Sequence, residues 1–449
     1  MTSFFKGTLI LAVTAFFGET LEFLTNMVLT KELGEIGMGK YMAILPSVFL
    51  FVVIASLELP VSVSKYIAEL QREYHRSTLQ HAMRLATVTT SVLMLSAVIV
   101  FTFFPVFHGY HPMIRWLTLI LIPVISFTSV ARGYFMGIQQ MRKIAFANFV
   151  RKFFQLLLLV VVYRFFDFDR ETSILVALGT LIASEIVVFL YLMRAYVLYM
   201  RQMKNIPYKE MARKTVTKKL LGISLPTTGM RIFNSVINAI QPFLISYALM
   251  LGGVEEKTAT AQFGMVAGVA STIGFFPAFI AHSLLVMLVP TVSEAYTRGE
   301  IGKLQGLLKH VIVITMLYGL AVSFVLYFYG GALTKLFGTS LLAYYYLQLM
   351  IPYFLFFYLA IPMQAFLIGM NLVKDAFYHS VWSTLISNLF IFWLGSNSHL
   401  QMAGVIIGMN IEAVLLAFLH YTTIYKKLHI SFSKKQSSLS EMNWGNRRA

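Results

Sequence analysis

The chain has 449 residues, of which 58% are hydrophobic and only 12% are charged. Soluble globular proteins carry about 25% charged residues, so there are too few charges here to cover a water-facing surface. The lack of cysteine excludes disulfides and thiolate metal sites, and the formal net charge of +17 raises the question of an anionic partner.

Long apolar runs separated by short polar breaks follow one another along the chain, and each can supply the roughly 20 residues that cross a bilayer. The first run contains Glu19 and Glu22 and has no small-residue cleavage site, so it is predicted to be a retained helix rather than a signal peptide. The pattern predicts an all-α integral membrane protein with about twelve transmembrane helices, at residues 5–30, 41–66, 84–107, 114–138, 144–166, 173–199, 219–250, 260–290, 308–329, 341–369, 376–394 and 401–425.

The basic residues are distributed unequally between the two sides of this predicted bundle. With a cytoplasmic N-terminus, 28 of the 36 Lys and Arg fall on the inner side, seven on the outer side, and Arg231 within a helix. This bias predicts cytoplasmic N- and C-termini in a bacterial cell membrane. Because the cations lie where cytoplasmic loops meet anionic lipid, the charge indicates membrane lipids and not nucleic acid as the partner.

The two halves of the chain share marks at nearly constant separation. Pro60 matches Pro290, Gly137 matches Gly369, and Glu185 matches Glu412, with separations between 227 and 232 residues. Six helices return the chain to the same side, so the repeats are predicted to be parallel. The predicted domains are a six-helix bundle at 1–200, a cytoplasmic linker at 201–218, a second bundle at 219–425, and a basic, disordered tail at 426–449.

Three segments carry a resemblance to a known superfamily. They are Leu59-Pro60-Val61-Ser62-Val63-Ser64-Lys65, Arg132-Gly133-Tyr134-Phe135-Met136-Gly137 and Leu288-Val289-Pro290-Thr291-Val292-Ser293-Glu294-Ala295. In this order and spacing the chain resembles the multidrug/oligosaccharidyl-lipid/polysaccharide (MOP) exporter superfamily, in its branch of stage V sporulation protein B and polysaccharide flippases. The resemblance implies a MATE-like fold of two six-helix bundles around a central cavity, alternating access, and export of lipid-linked glycans; the branch also suggests sporulation.

The fifth helix departs from that resemblance. Relatives often carry a polar, partly acidic stretch there, whereas this sequence has Asn148, Arg151 and Lys152. Arg151 and Lys152 are candidates to bind substrate by adding positive potential to the cavity. The alternative is that one or both side chains snorkel to the cytoplasmic interface.

Ionisable residues inside membrane helices are costly, so they usually face a cavity or a partner. Glu19 and Glu22 lie on one face of the first helix and are candidates for ion coupling, as is Glu58 beside Pro60. The alternatives are a structural Glu–Arg pair and, for Glu58, backbone capping or a pair with Lys65. Glu185 and Glu412 are interpreted as packing residues because their position repeats.

The seventh helix carries a polar stripe formed by Arg231, Asn234 and Asn238. Arg231 is predicted to bind an anionic phosphate of the cargo through charge-assisted bonds, with the two asparagines as further substrate contacts. A purely structural role of Arg231 in helix packing is the alternative.

These features favour a transporter that flips a lipid-linked anionic oligosaccharide or cell-wall precursor to the outer leaflet. A cation-coupled multidrug or metabolite antiporter of the same superfamily is the second hypothesis, and a non-transporting envelope or sporulation scaffold is the third. An enzyme is disfavoured because the sequence has no phosphate loop and no nucleophile elbow. The expected protein is a monomer without a cofactor, served by a coupling cation or proton.

Overall fold

The computed structural model describes residues 2–104, 107, 109–203 and 207–445, with side chains described from residue 13 to 428 within these ranges, apart from residue 14. The described part of the chain is helical, with short connections and no strand. The helices are α1 Thr2–Ser56, α2 Leu59–Glu69, α3 Arg72–Phe103, α4 Met113–Gly137, α5 Met141–Phe165, α6 Arg170–Gln202, α7 Arg213–Leu251, α8 Glu256–Gly264, α9 Ser271–Phe275, α10 Phe279–Thr297, α11 Ile301–Lys335, α12 Leu341–Leu349, α13 Ile351–Gly369, α14 Val373–Gly395 and α15 Gln401–Gly445.

The predicted all-helical membrane fold is confirmed, with ten helical segments long and apolar enough to cross a bilayer in the described part of the chain. One of these, Ala15–Glu69, contains a bend at Gly34, where φ is 67° and ψ is 177°. The predicted break at 31–40 is therefore a kink that only glycine adopts readily, and not a loop. Most helices also extend past their predicted ends, because hydropathy marks the bilayer-crossing part and not the polar turns beyond it.

The chain forms two compact units. One comprises Met1–Phe23 with Leu244–Ala449, and the other comprises Leu24–Phe243. We call them the C-terminal unit and the N-terminal unit. The units divide within α1 and α7, whereas the predicted bundles divide at the linker 201–218. The predicted bundles follow the sequence repeat and the units follow packing contacts, so the bundle limits stay a prediction.

The tail differs from its prediction, because α15 continues to Gly445 through most of the segment expected to be disordered. Extending an existing helix fixes one residue for each hydrogen bond gained, whereas starting a helix must fix several residues for the first bond. The transmembrane part of α15 is already helical, so the polar tail extends that helix and does not have to start a new one.

The repeat predicted from the sequence corresponds to the same packing contact in each unit. A Cβ added to Gly137 of α4 would lie 2.8 Å from the carbonyl oxygen of Ser64 in α2. A Cβ added to Gly369 of α13 would lie 2.8 Å from the Cβ of Val292 in α10. Each glycine thus permits close approach to the helix that carries the repeated proline.

The helices α4 and α13 also end identically. Gln139 and Asn371 follow their last turns with φ of 60° and 62°, in the left-handed region. At the end of α4 the backbone amide of Gln140 donates a hydrogen bond to the Phe135 carbonyl at 2.8 Å. At the end of α13 the backbone amide of Leu372 donates to the Leu367 carbonyl, also at 2.8 Å. This is the Schellman arrangement, here with a residue other than glycine at the left-handed position.

The segment before α7 is tied to α3 within the N-terminal unit. The amide of Met211 donates to Ser77 Oγ at 3.0 Å, and the Met211 carbonyl lies 3.0 Å from His81 Nε2. Lys209 Nζ lies 2.6 Å from Glu73 Oε2, and this hydrogen bond raises the pKa of the Lys209 ammonium. This part of the predicted linker is therefore anchored to the helix beside it.

Candidate functional site

The bend between α1 and α2 presents a buried carboxylate. Leu57 and Glu58 both have positive φ, at 45° and 46°, directly before Leu59 and Pro60, which begin α2. The bend leaves the Leu57 carbonyl free of the helix ladder, and Ser224 Oγ of α7 donates a hydrogen bond to it. Left-handed backbone at two successive non-glycine residues costs free energy, so the bend depends on tertiary contacts such as this one.

Arg231 of α7 donates to Glu58 Oε1 within the N-terminal unit. The Glu58 side chain is 7% exposed, whereas the Arg231 side chain is 59% exposed. The carboxylate therefore anchors one edge of a guanidinium whose remaining donors stay accessible. Glu58 and Arg231 were predicted separately, as an ion-coupling and a substrate-binding residue, and the predicted alternative of a Glu58–Lys65 pair is not the contact observed.

The two asparagines of the predicted stripe continue along α7 from Arg231. Asn234 is half-buried and Asn238 is exposed. The side-chain amide of neither residue makes a hydrogen bond within the described part of the chain. Their amide groups are therefore available to an external ligand on the same helix as Arg231. Their role as substrate contacts stays a prediction.

A second polar cluster joins α4, α5 and α6 of the N-terminal unit. Arg151 Nε lies 3.7 Å from Glu185 Oε1, and Arg132 Nη1 donates to Asn148 Oδ1 at 3.0 Å. Both guanidinium groups interact electrostatically with the Glu185 carboxylate. The cluster therefore sets two cations against one carboxylate, and its surplus of positive charge lies among membrane-crossing helices.

The sequence predicted Arg151 and Lys152 in this region but not Arg132 or Asn148 as site residues. Lys152 is half-buried beside Arg151. Arg132 lies in a segment that had been noted only for the superfamily resemblance. Asn148 could have been predicted as a site residue from its spacing to Arg151 and Lys152, which places all three polar residues on one face of α5. The sequence offers no such spacing for Arg132.

Glu19 and Glu22 belong to the C-terminal unit, not to the unit that contains Arg231. Glu19 is half-buried and interacts electrostatically with His282 of α10, whereas Glu22 is exposed. Phe16 and Phe23 flank them on α1 and make edge-on ring contacts with Phe276, at 5.7 and 5.4 Å. The start of α1 is thus packed on the region of α10, and the ion-coupling role of both glutamates stays a prediction.

Within the described residues, no group of three or more His, Asp or Glu side chains could hold a metal ion. The polar clusters that the structure does contain pair carboxylates with guanidinium groups, hydroxyls or histidine.

Comparisons with known proteins agree on the family and on the fold. The polysaccharide biosynthesis protein family matches residues 4–255. The chain is 48% identical to Sporulation protein YkvU of Bacillus subtilis over 431 residues, which cover 96% of this chain and 97% of the relative. It is 28% identical to Stage V sporulation protein B of Bacillus subtilis over 457 residues, covering 98% and 86% of the two chains.

Solved structures of the MOP superfamily have the same fold. An inward-facing multidrug resistance MATE transporter matches with a TM-score of 0.73 at 16% identity, covering 92% of this chain and 96% of its own. A MOP superfamily transporter from Pyrococcus furiosus, described as having a binding pocket of reverse polarity, matches with a TM-score of 0.66 at 16% identity, covering 95% and 96%. This chain therefore belongs to the polysaccharide biosynthesis protein family, in the branch of the MOP exporter superfamily that contains stage V sporulation protein B.

Proposed function

We propose that this protein flips a lipid-linked, anionic oligosaccharide precursor from the cytoplasmic to the outer leaflet by alternating access. It acts as a carrier and not as an enzyme, with both termini in the cytoplasm and as a monomer. The family supports a polysaccharide precursor as cargo, and the names of the two Bacillus relatives support a precursor used during sporulation.

The observation that carries the proposal is the arrangement of positive charge in the N-terminal unit, where Arg231 is accessible and the partly buried Arg132 and Arg151 outnumber their carboxylate. Arg231 is more than half exposed while its carboxylate partner is buried behind it. Arg132 and Arg151 share the single carboxylate of Glu185. Guanidinium groups held in this way match the phosphate oxygens of a polyprenyl pyrophosphate, because their planar donors bind phosphate bidentately.

The charge also weighs against a drug antiporter for organic cations. A cation would have to approach Arg231 and the Arg132–Arg151 pair, where like charges repel it. The multidrug transporters among the structural neighbours share the fold at 16% identity or less, and the fold alone does not assign cargo.

The test is flipping of a fluorescent polyprenyl-pyrophosphate sugar in proteoliposomes that contain the full chain. We expect wild type to flip the lipid, and Arg231→Ala and Arg151→Ala to lose most of this activity while remaining folded. Lys303→Ala is the matched control, since Lys303 is an exposed cation paired with Glu300 at the start of α11. Exchange of organic cations for protons without lipid flipping would establish the antiporter, and inactivity in both assays would favour the scaffold.

A further inference from the structure

A row of polar groups lines the interface of α14 and α15 in the C-terminal unit. Three positions of α14 contact four of α15, and Asp375 precedes them on α14, in a row that runs from the start of α14 toward the middle of both helices. We call this row the polar seam, and it consists of Asp375, His379, Thr384 and Ser387 on α14 with Thr423, His420, Glu412 and the Gly408 carbonyl on α15.

Glu412 lies in the inner part of the seam and has hydroxyl neighbours. Thr384 Oγ1 donates to Glu412 Oε1 at 2.7 Å, and Ser387, whose hydroxyl donates to the Gly408 carbonyl at 2.9 Å, lies beside this side chain. Tyr353 of α13 is the titratable group that faces it from the other side. Within the described part of the chain, the groups found to act on this carboxylate are Thr384, Ser387 and Tyr353, and none of them is a cation.

The corresponding carboxylate of the other repeat has a different environment. Glu185 occupies the matching place on α6, and its neighbour on α5 is Arg151, whereas the neighbour of Glu412 on α14 is Thr384. The same interface therefore holds an ion pair in one repeat and a carboxyl–hydroxyl contact in the other. Inside a bilayer, a carboxylate is stabilised either by a cation or by taking up a proton.

Two histidines continue the seam toward the cytoplasmic end. His379 Nδ1 lies 2.9 Å from His420 Nδ1, and His379 Nε2 lies 3.1 Å from Thr423 Oγ1. The contact between the two Nδ1 atoms needs one proton between them, because one ring must donate and the other accept. His420 is 2% exposed, whereas His379 is half-buried and feels the charge of Asp375 at the start of α14.

The other helices packed at this level supply both apolar and polar side chains. Phe366 of α13 and Leu308 of α11 belong to a buried cluster that also contains Ala376 and Ile424 of the two seam helices. Asp375 is the charged group that acts on His379, and Lys309 of α11 lines a cavity with Tyr421 and Tyr425 of α15 next to this end of the seam.

We propose that Glu412 is a proton-binding site, and that the His379–His420 pair exchanges this proton with the cytoplasmic end of α14. The eight residues from Glu412 to His420 place them two turns apart, about 12 Å along the helix, so bridging water must complete the path. This inference rests on the proposed transport function and names its coupling ion. It assigns Glu412 to coupling in place of the packing role expected from its repeated position.

The proton site can be tested without any cargo. Dicyclohexylcarbodiimide couples to protonated carboxyl groups in apolar surroundings, and peptide mapping by mass spectrometry then locates the adduct. We expect an adduct on Glu412 of the wild-type full chain that increases as the pH is lowered, because only the protonated carboxyl reacts. Glu185 is the internal control, since its pairing with Arg151 predicts little or no adduct at the same pH.

Variants supply the second measurement. Glu412→Gln should remove the Glu412 adduct and, in the proteoliposome assay, leave flipping of the fluorescent lipid insensitive to an imposed pH gradient. Glu300→Gln, at a carboxylate paired with Lys303 at the start of α11 and outside both proposed sites, should keep the Glu412 adduct and the response to the gradient. No adduct on Glu412 in wild type at any pH, or a gradient response that survives in Glu412→Gln, would overturn the proposal. A correct Glu412 adduct in a protein that flips no lipid would instead contradict only the proposed cargo.

Discussion

Glu58, in the bend between α1 and α2, accepts a hydrogen bond from Arg231 of α7, and the carboxylate is buried while the guanidinium remains more than half exposed. The two residues are 173 positions apart in the chain. The pair links the strained bend to α7 and leaves part of Arg231 available to a ligand. A structural and a binding role can therefore coexist in one residue, and mutagenesis can separate them.

Arg231→Ala should lower the free energy of unfolding, because it leaves the buried Glu58 carboxylate without its partner. Loss of a hydrogen bond to a buried charge costs about 1–3 kcal/mol. Glu58→Gln in the same chain should restore part of that stability, since a neutral amide is cheaper to bury. Thermal unfolding of wild type, both single variants and the double variant in detergent measures this coupling.

The double variant also separates stability from binding. If Arg231 binds the pyrophosphate, Arg231→Ala with Glu58→Gln should stay inactive in lipid flipping although its stability is recovered. Recovery of flipping together with stability would show that Arg231 serves only to hold the bend.

Gly137→Ala and Gly369→Ala should each destabilise the protein, because the added methyl group would meet Ser64 or Val292 at 2.8 Å. Overpacking of this kind costs about 1–3 kcal/mol. Gly179→Ala is the matched control, because this helical glycine has nothing within 4 Å of its added Cβ. Alanine there should be neutral or slightly stabilising in the same unfolding assay, and an equal loss in all three variants would refute the packing argument.

Gln139→Gly should stabilise the protein, because Gln139 has a φ of 60° at the end of α4. A left-handed conformation costs an ordinary residue roughly 1–2 kcal/mol, and glycine avoids that cost. Asn371→Gly at the equivalent position should gain less, since asparagine tolerates this conformation better than glutamine. A comparison of the unfolding midpoints of both variants tests the order, and a larger gain at Asn371 would contradict it.

Glu185→Gln should strengthen binding of anionic lipid and weaken the fold. The substitution removes the carboxylate that neutralises Arg132 and Arg151, so both guanidinium groups keep more of their charge for a ligand. Affinity for a pyrophosphate-bearing lipid, measured against salt concentration, should rise and depend more steeply on salt. Arg151→Gln should change the affinity in the opposite direction, and a decrease in both variants would exclude this cluster as an anion site.

Much of the fold could be predicted from the sequence, because the bilayer imposes a simple rule on it. Apolar runs of the required length gave the order of the membrane helices, and Pro60, Gly137 and their counterparts marked the repeat. The hydropathy pattern could not show the kink at Gly34, the continuous helix of the tail or the division within α1 and α7. Each of these depends on backbone geometry or on helix packing, and neither changes the local hydropathy.

For the candidate sites, the sequence identified the residue types and the tertiary structure determined their partners. An ionisable residue in a membrane helix is visible in the sequence because its transfer from water is costly. Whether it meets a cation, a hydroxyl or a histidine depends on contacts between distant segments, as between Glu58 and Arg231 or between His379 and His420. Glu185 and Glu412 look equivalent in sequence, yet only the folded chain gives one an arginine and the other a threonine, and that difference determines which of them we expect to take up a proton.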